Sequence, residues 1–176
     1  MALIKHKIEG RTINFRNAQI DDAAFILKLR TDPQLNIYLN RTNPDLNEQK
    51  LWIKNCQENT GQYYFIIEDK EQESVGTVRL YDFKADSFCW GSWIIQPNSP
   101  RKAAIESALL VYELGFYELG FQKSHFDVRK ENAKVIEFHK RYGAKIIEET
   151  DKDCFFIFTR KNYEFVRDQY RQFLPI

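Results

Sequence analysis

Apolar and polar residues alternate from Thr12 to Arg16, the period of a strand with one covered face. The period then lengthens. Asp21 and Asp22 precede Ala23, Ile26, Leu27 and Arg30, which space out as a helix behind an acidic cap. Asp32-Pro33 carries the cap-then-proline signature of a first turn and predicts that the helix restarts, running through Leu35 and Leu39. After a polar loop from Asn40 to Pro44, Asp45 with Glu48 three residues on resembles a capping box for a helix bearing Leu51, Trp52 and Cys56. Tyr63 to Glu68, Ser74 to Asp82 and Phe88 to Ile95 return to strand patterning, the first two joined by an acidic turn. Lys145 to Glu149 and Cys154 to Thr159 give a last strand pair. A polar, aromatic-studded helix follows near Asn162 to Gln172.

The rest is organised around the stretch from Trp90 to Ala144. Gly91 interrupts the apolar run Trp90-Gly91-Ser92-Trp93-Ile94-Ile95, where a bulge or a close backbone approach is expected. The turn-rich segment Gln96 to Lys102 opens into a helix from about Ala103 to Leu119. Ile105, Ala108, Leu109, Tyr112, Phe116 and Leu119 share one of its faces. A strand-loop-helix unit presents unpaired N–H groups and the positive helix end, which suits phosphate, and Arg101 and Lys102 stand where added positive charge would help. With no repeat, low-complexity segment or linker, residues 1–176 read as a single α/β domain.

Composition narrows the classes. At 43% hydrophobic and 15% aromatic, the 176 residues are enough for a full core. Lys and Arg total 26 against 25 Asp and Glu, a balance that argues against a general nucleic-acid binder. No apolar run of roughly 18 residues predicts a membrane span, and Met1 to Gly10 lacks the apolar centre of a signal peptide. Cys56, Cys89 and Cys154 are scattered, with no C-x-x-C pair, as expected for free thiols in a reducing cytoplasm. They give no metal pattern, and no nucleophile-base pair stands out.

From Asp127 to Ala144 the chain resembles the GNAT superfamily of acetyl-CoA-dependent N-acetyltransferases. The family's second motif, roughly V-x-x-x-N-x-x-A-I-x-L-Y-x-K-x-G-F, is met in register by Val128, Asn132, Ile136, Phe138, Arg141 and Gly143. The order of elements elsewhere agrees with it. The resemblance implies a mixed central sheet flanked by helices, with a splayed strand pair for acyl-CoA. The family's pyrophosphate loop, near Q/R-x-x-G-x-G/A, should lie between Pro100 and Glu106, and here it departs from the pattern. Starting at Arg101 sets Ala104 and Glu106 at the small positions; starting one residue earlier sets Ala103 and Ile105 there.

The resemblance also implies roles. Trp93, Ile94 and Ile95 line the pantetheine arm of acetyl-CoA through their backbone, while their side chains also suit a plain core strand. Arg101, Lys102, Ala103, Ala104 and Ile105 form the phosphate loop, and Asn132 caps its helix as well as touching cofactor. A bulge at Gly91 and Ser92 frees an N–H for the thioester oxygen. His139 stands where many relatives carry a tyrosine proposed to protonate the departing thiolate; an imidazole titrates near neutrality and serves as acid or base. A hydrogen-bonded core histidine is the other reading of that position. Asp82 and Glu106 are candidate bases for the amine, and each also suits a surface or capping carboxylate. Direct transfer to the amine is expected rather than an acyl-enzyme.

The segment from Arg30 to Leu39, with the Trp52 helix, looks like the substrate side of two GNAT branches. One acetylates amino sugars on nucleotide carriers and the other protein N-termini, including those of ribosomal proteins. Tyr38, Trp52, Tyr81 and Trp90 could stack on a sugar or base, or serve as core. A small amino-sugar-type amine is the expected acceptor. A protein N-terminal acetyltransferase and a non-catalytic acyl-CoA-binding module are the alternatives. A cytoplasmic enzyme is expected, with no nucleic-acid or membrane partner, and a homodimer is left open.

Overall fold

A computed structural model describes residues 4, 6–58 and 61–175. Its centre is one eight-stranded sheet with spatial order β1-β2-β3-β4-β5-β6-β8-β7. The strands are β1 (Ile8–Glu9), β2 (Ile13–Asn17), β3 (Tyr63–Asp69), β4 (Ser74–Tyr81), β5 (Ser87–Ile95), β6 (Lys123–Arg129), β7 (Lys145–Glu149) and β8 (Asp153–Thr159). Every neighbouring pair is antiparallel except β5 and β6. That parallel pair meets only at Ser87–Lys123 and Phe88–Ser124. The mixed sheet with one splayed pair is the expected architecture.

Period-two alternation sorts the sheet's side chains between two layers. Tyr64 and Ile66 of β3 pack with Ala23 and Ile26 of α1 (Ala23–Thr31) and Ile53 of α2 (Leu46–Glu58). On the other face Tyr63, Phe65, Val78, Leu80, Phe88 and Trp90 join the main core. Covering it are α3 (Ala103–Glu113), whose Ala108, Leu109 and Tyr112 are buried, and α5 (Arg160–Gln169), which contributes Tyr163 and Val166. The short α4 (Ala133–Arg141) buries Ile136 and His139.

Two expectations needed correction. The helical restart at Asp32-Pro33 is a pair of turns instead. Asp32 Oδ1 accepts from Gln34 N at 2.8 Å and Asn36 Nδ2 donates to Arg30 O at 3.2 Å, so Asx chemistry outcompetes the helix. The helix drawn to Leu119 stays α-helical only to Glu113, and Leu114–Glu118 widens into a π turn. Gly115 sits there against the Phe88 ring, where any Cβ would collide with the ring carbons. The capping box at α2 is half present: Asp45 Oδ1 accepts from Asn47 N and Glu48 N, while Glu48 accepts from Asn43 Nδ2.

Candidate active site

The cleft follows from the sheet. Beyond Phe88 and Ser124 the two parallel strands separate, and their ladder stops. On β5, Gly91 pairs with Arg79 and Ile94 with Thr77, which leaves Ser92 and Trp93 without partners on β4. Ser92 adopts a φ of +46°, and Thr77 Oγ1 donates to its carbonyl at 2.8 Å. The expected bulge is thus one inserted residue, pinned by a buried threonine. Between the strands opens a cleft of about 490 Å³, which brings together Trp93, Asn132 and His139 of the predicted residues. Tyr38, Trp52, Tyr81 and Trp90 line it as well.

The side chains of Trp93, Ile94 and Ile95 belong to the packing. Ile94 is buried, Ile95 packs on the main core, and Trp93 Nε1 donates to Ser107 Oγ at 3.0 Å. At the start of α3, Arg101 and Lys102 are exposed and Lys102 holds a φ of +79°. Ala103 N donates to Pro100 O and Glu106 N to Lys102 O, so Ala104 and Ile105 N–H have no backbone acceptor among the described residues. Lys102 therefore carries the left-handed backbone that glycine adopts without steric cost. Reading the loop from Ser99 sets Lys102 at the family's middle glycine and Ala104 at the closing small residue, a frame neither expectation used. Asn132 caps α4, its Oδ1 accepting from Val135 N at 3.4 Å.

His139 is 3% exposed and ringed by Phe126, Trp90, Phe138 and Phe156, with centroids 4.3–5.9 Å away. Its Nδ1 is buried without a hydrogen-bond partner. Burial pushes its pKa down to about 3, so the imidazole is neutral wherever an amine could react. The expected acid-or-base role narrows to what a neutral ring can do, which is donate or accept a hydrogen bond.

Neither predicted base lines the cleft. Glu106, 1% exposed, turns towards β2 and accepts from Thr12 N at 2.8 Å, Ile13 N at 3.3 Å and Thr12 Oγ1. It is an anchor for the first long strand. Asp82 is exposed beyond β4 and contacts His125 Nε2 at 2.9 Å and Lys84 at 3.3 Å. The His125 hydrogen bond, then Lys84, holds its carboxyl below the usual range. His125 Nδ1 in turn meets Ser87 Oγ at 2.9 Å, so this trio clasps the end where β5 and β6 still touch.

Two carboxylates do line the cleft: Glu48, which accepts from Asn43 Nδ2, and Asp127 on β6, exposed and without a hydrogen bond or ion pair among the described residues. The signal for Asp127 was the strand period: with Phe126 and Val128 buried, Asp127 must face the opposite side. Arg79 was also overlooked. Its guanidinium lies 4.0 Å over the Tyr81 ring and 5.4 Å from the Trp52 ring, with Nε buried and unpartnered. The lining carries Arg30, Arg41, Arg79 and Arg129 against only Glu48 and Asp127. Burial pushes the Cys56 and Cys89 thiols up to about 11, which leaves them poor nucleophiles.

A sheet parted between two parallel strands, with a bulge further along one of them and a helix start beside it, is the architecture expected from the resemblance to acyl-transferring enzymes. The chain belongs to the GNAT acetyltransferase family, whose domain matches residues 12–145. It is an N-acetyltransferase by fold and family. Among solved structures it is 44% identical to apo FdhC, described as a nucleotide-linked sugar GNAT, with a TM-score of 0.88 over 97% of this chain and 99% of that one. It shares the fold of the Vibrio cholerae spermidine N-acetyltransferase solved with CoA and spermine, at 17% identity, TM-score 0.77, and 87% and 98% coverage. A putative acetyltransferase from T. thermophilus is 15% identical with a TM-score of 0.78, covering 98% of each chain. No curated protein matches the chain.

Proposed function

We propose that the enzyme transfers an acetyl group from acetyl-CoA directly to the amino group of a nucleotide-linked amino sugar. The arginine excess of the cleft is the observation that carries this reading, because an anionic acceptor is drawn in and a polyamine repelled. The nucleotide-linked sugar relative, alike over nearly the whole chain, supports it.

In this reading the donor is held by the N–H groups of Ala104 and Ile105, by the positive residues Arg101 and Lys102, and by the β5 edge beyond Phe88, which β6 no longer pairs. Bound acetyl-CoA supplies a thioester carbonyl open to attack. Asp127 takes the proton from the acceptor's ammonium group, freeing its lone pair. An N–C bond forms as the C–S bond breaks. Backbone N–H groups at the bulge stabilise charge on the carbonyl oxygen, a contribution typically worth about 2.7–4 kcal/mol per donor. The sulfur leaves as a thiolate while the nitrogen gives up its second proton, which passes through water to the sulfur, with the neutral imidazole of His139 available as a hydrogen-bond donor.

The test follows thiol release with acetyl-CoA and four kinds of acceptor: nucleotide-linked amino sugars, free amino sugars, spermidine and peptides with free N-termini. The nucleotide-linked acceptors should give the highest kcat/KM. Preferential turnover of spermidine or of peptides would overturn the proposal. Asp127→Asn should lower kcat by about 10²–10⁴ with acetyl-CoA binding preserved, the range for a positioned general base. Unchanged turnover would remove Asp127 from that role.

A further inference from the structure

A second, smaller cavity of about 270 Å³ adjoins the cleft and is walled by the segment that should have been helix. The two share Arg30, Leu39, Asn40, Arg41 and Thr42. Thr31 and Asn36 complete the polar part of the smaller one, which has no carboxylate in its lining. Arg30 is held from behind, with Nε donating to Thr42 Oγ1 at 2.7 Å and Nη2 to Asn40 O at 3.4 Å. Neither Arg30 nor Arg41 has a carboxylate partner among the described residues. Asn36 Nδ2 ties this segment to Arg30 O, so the turns that replace the helix also form the wall.

We infer that this chamber is a phosphate subsite, in which Arg30 and Arg41 grip the diphosphate of the acceptor. The inference rests on the proposed nucleotide-linked acceptor and adds where its anionic part is held. Guanidinium forks match phosphate oxygens, and with Arg41 exposed and Arg30 half-buried both heads are open to an arriving anion. The chemistry could also serve the donor's own phosphates. Arg101 and Lys102, however, line neither chamber, so the two phosphate groups have separate places.

The experiment titrates the protein, already saturated with CoA, with inorganic pyrophosphate and with a set of nucleoside 5′-diphosphates. The parent should bind a diphosphate in the presence of CoA. Arg41→Ala should weaken that binding about 10- to 100-fold, as loss of a charge-assisted contact does, and Arg41→Lys should recover part of it. Replacing Arg101 and Lys102 with Ala should weaken CoA and leave diphosphate binding to the free enzyme in place. Diphosphate excluded by CoA, or bound equally by parent and Arg41→Ala, would overturn the inference. The two readings fail separately. Diphosphate held through Arg41 without acetylation of any nucleotide-linked amino sugar keeps the subsite and ends the acceptor proposal. Acetylation with an acceptor KM unmoved by Arg41→Ala does the reverse.

Discussion

An imidazole enclosed by four aromatic rings is an expensive place for a proton. His139 titrates at about 3 in the folded chain, against an ordinary 6.5. Between those values the unfolded chain binds a proton that the folded chain refuses, so acid favours unfolding. The melting temperature should therefore fall as pH drops from about 6.5 towards 3, and His139→Phe should flatten that fall. A parallel decline in parent and variant would mean the ring is not the source. The same neutrality predicts that no break near 6.5 in the kcat–pH profile belongs to His139; one that vanished in His139→Phe would restore the acid role. Glu106 makes the contrasting case. Glu106→Gln should cost about 1–3 kcal/mol of stability, the scale of a disrupted buried hydrogen-bond set, while kcat per folded molecule is held. The motif register located Asn132 and His139, but no local pattern says that the residue at the α3 start turns to β2 rather than to a ligand.

At the scale of elements, alternation and capping residues brought out most strands and helices within a residue or two. What they could not carry was competition between local and distant partners. Asp32-Pro33 has a helix-start signature, yet Asp and Asn side chains bind nearby backbone and turn the chain twice. The long helix has an unbroken apolar face, but Gly115 must admit the Phe88 ring, and the last turn widens. Gly115→Ala should destabilise by about 1–3 kcal/mol through overpacking, measured by denaturant midpoint at constant slope. A neutral substitution would show that the ring can move aside. The bulge was legible because Gly91 broke an apolar run; the place where β5 and β6 part was not, because strand separation leaves no mark on either strand's own period.

For the whole molecule, the family resemblance supplied the topology and the sheet confirms it, while the charge of the cleft emerged only from assembly. Arg30, Arg41, Arg79 and Arg129 are far apart in a chain whose overall balance is nearly neutral. The parted strands carry one more implication. Past Phe88 and Ser124 they leave two facing edges that do not pair with each other, the kind of edge that elsewhere invites strands from other chains. In the finished protein these edges are internal, beside α4 and the polar segment before α2. In a chain still collapsing, before those elements dock, they lie open to neighbours. Acetyl-CoA included during refolding from denaturant should then raise the yield of monodisperse protein and lower light scattering. Truncated pantetheine thioesters, which reach the same strand edge without the nucleotide, should reproduce part of the gain. Equal scattering with and without them would place the aggregation-prone step elsewhere in the fold.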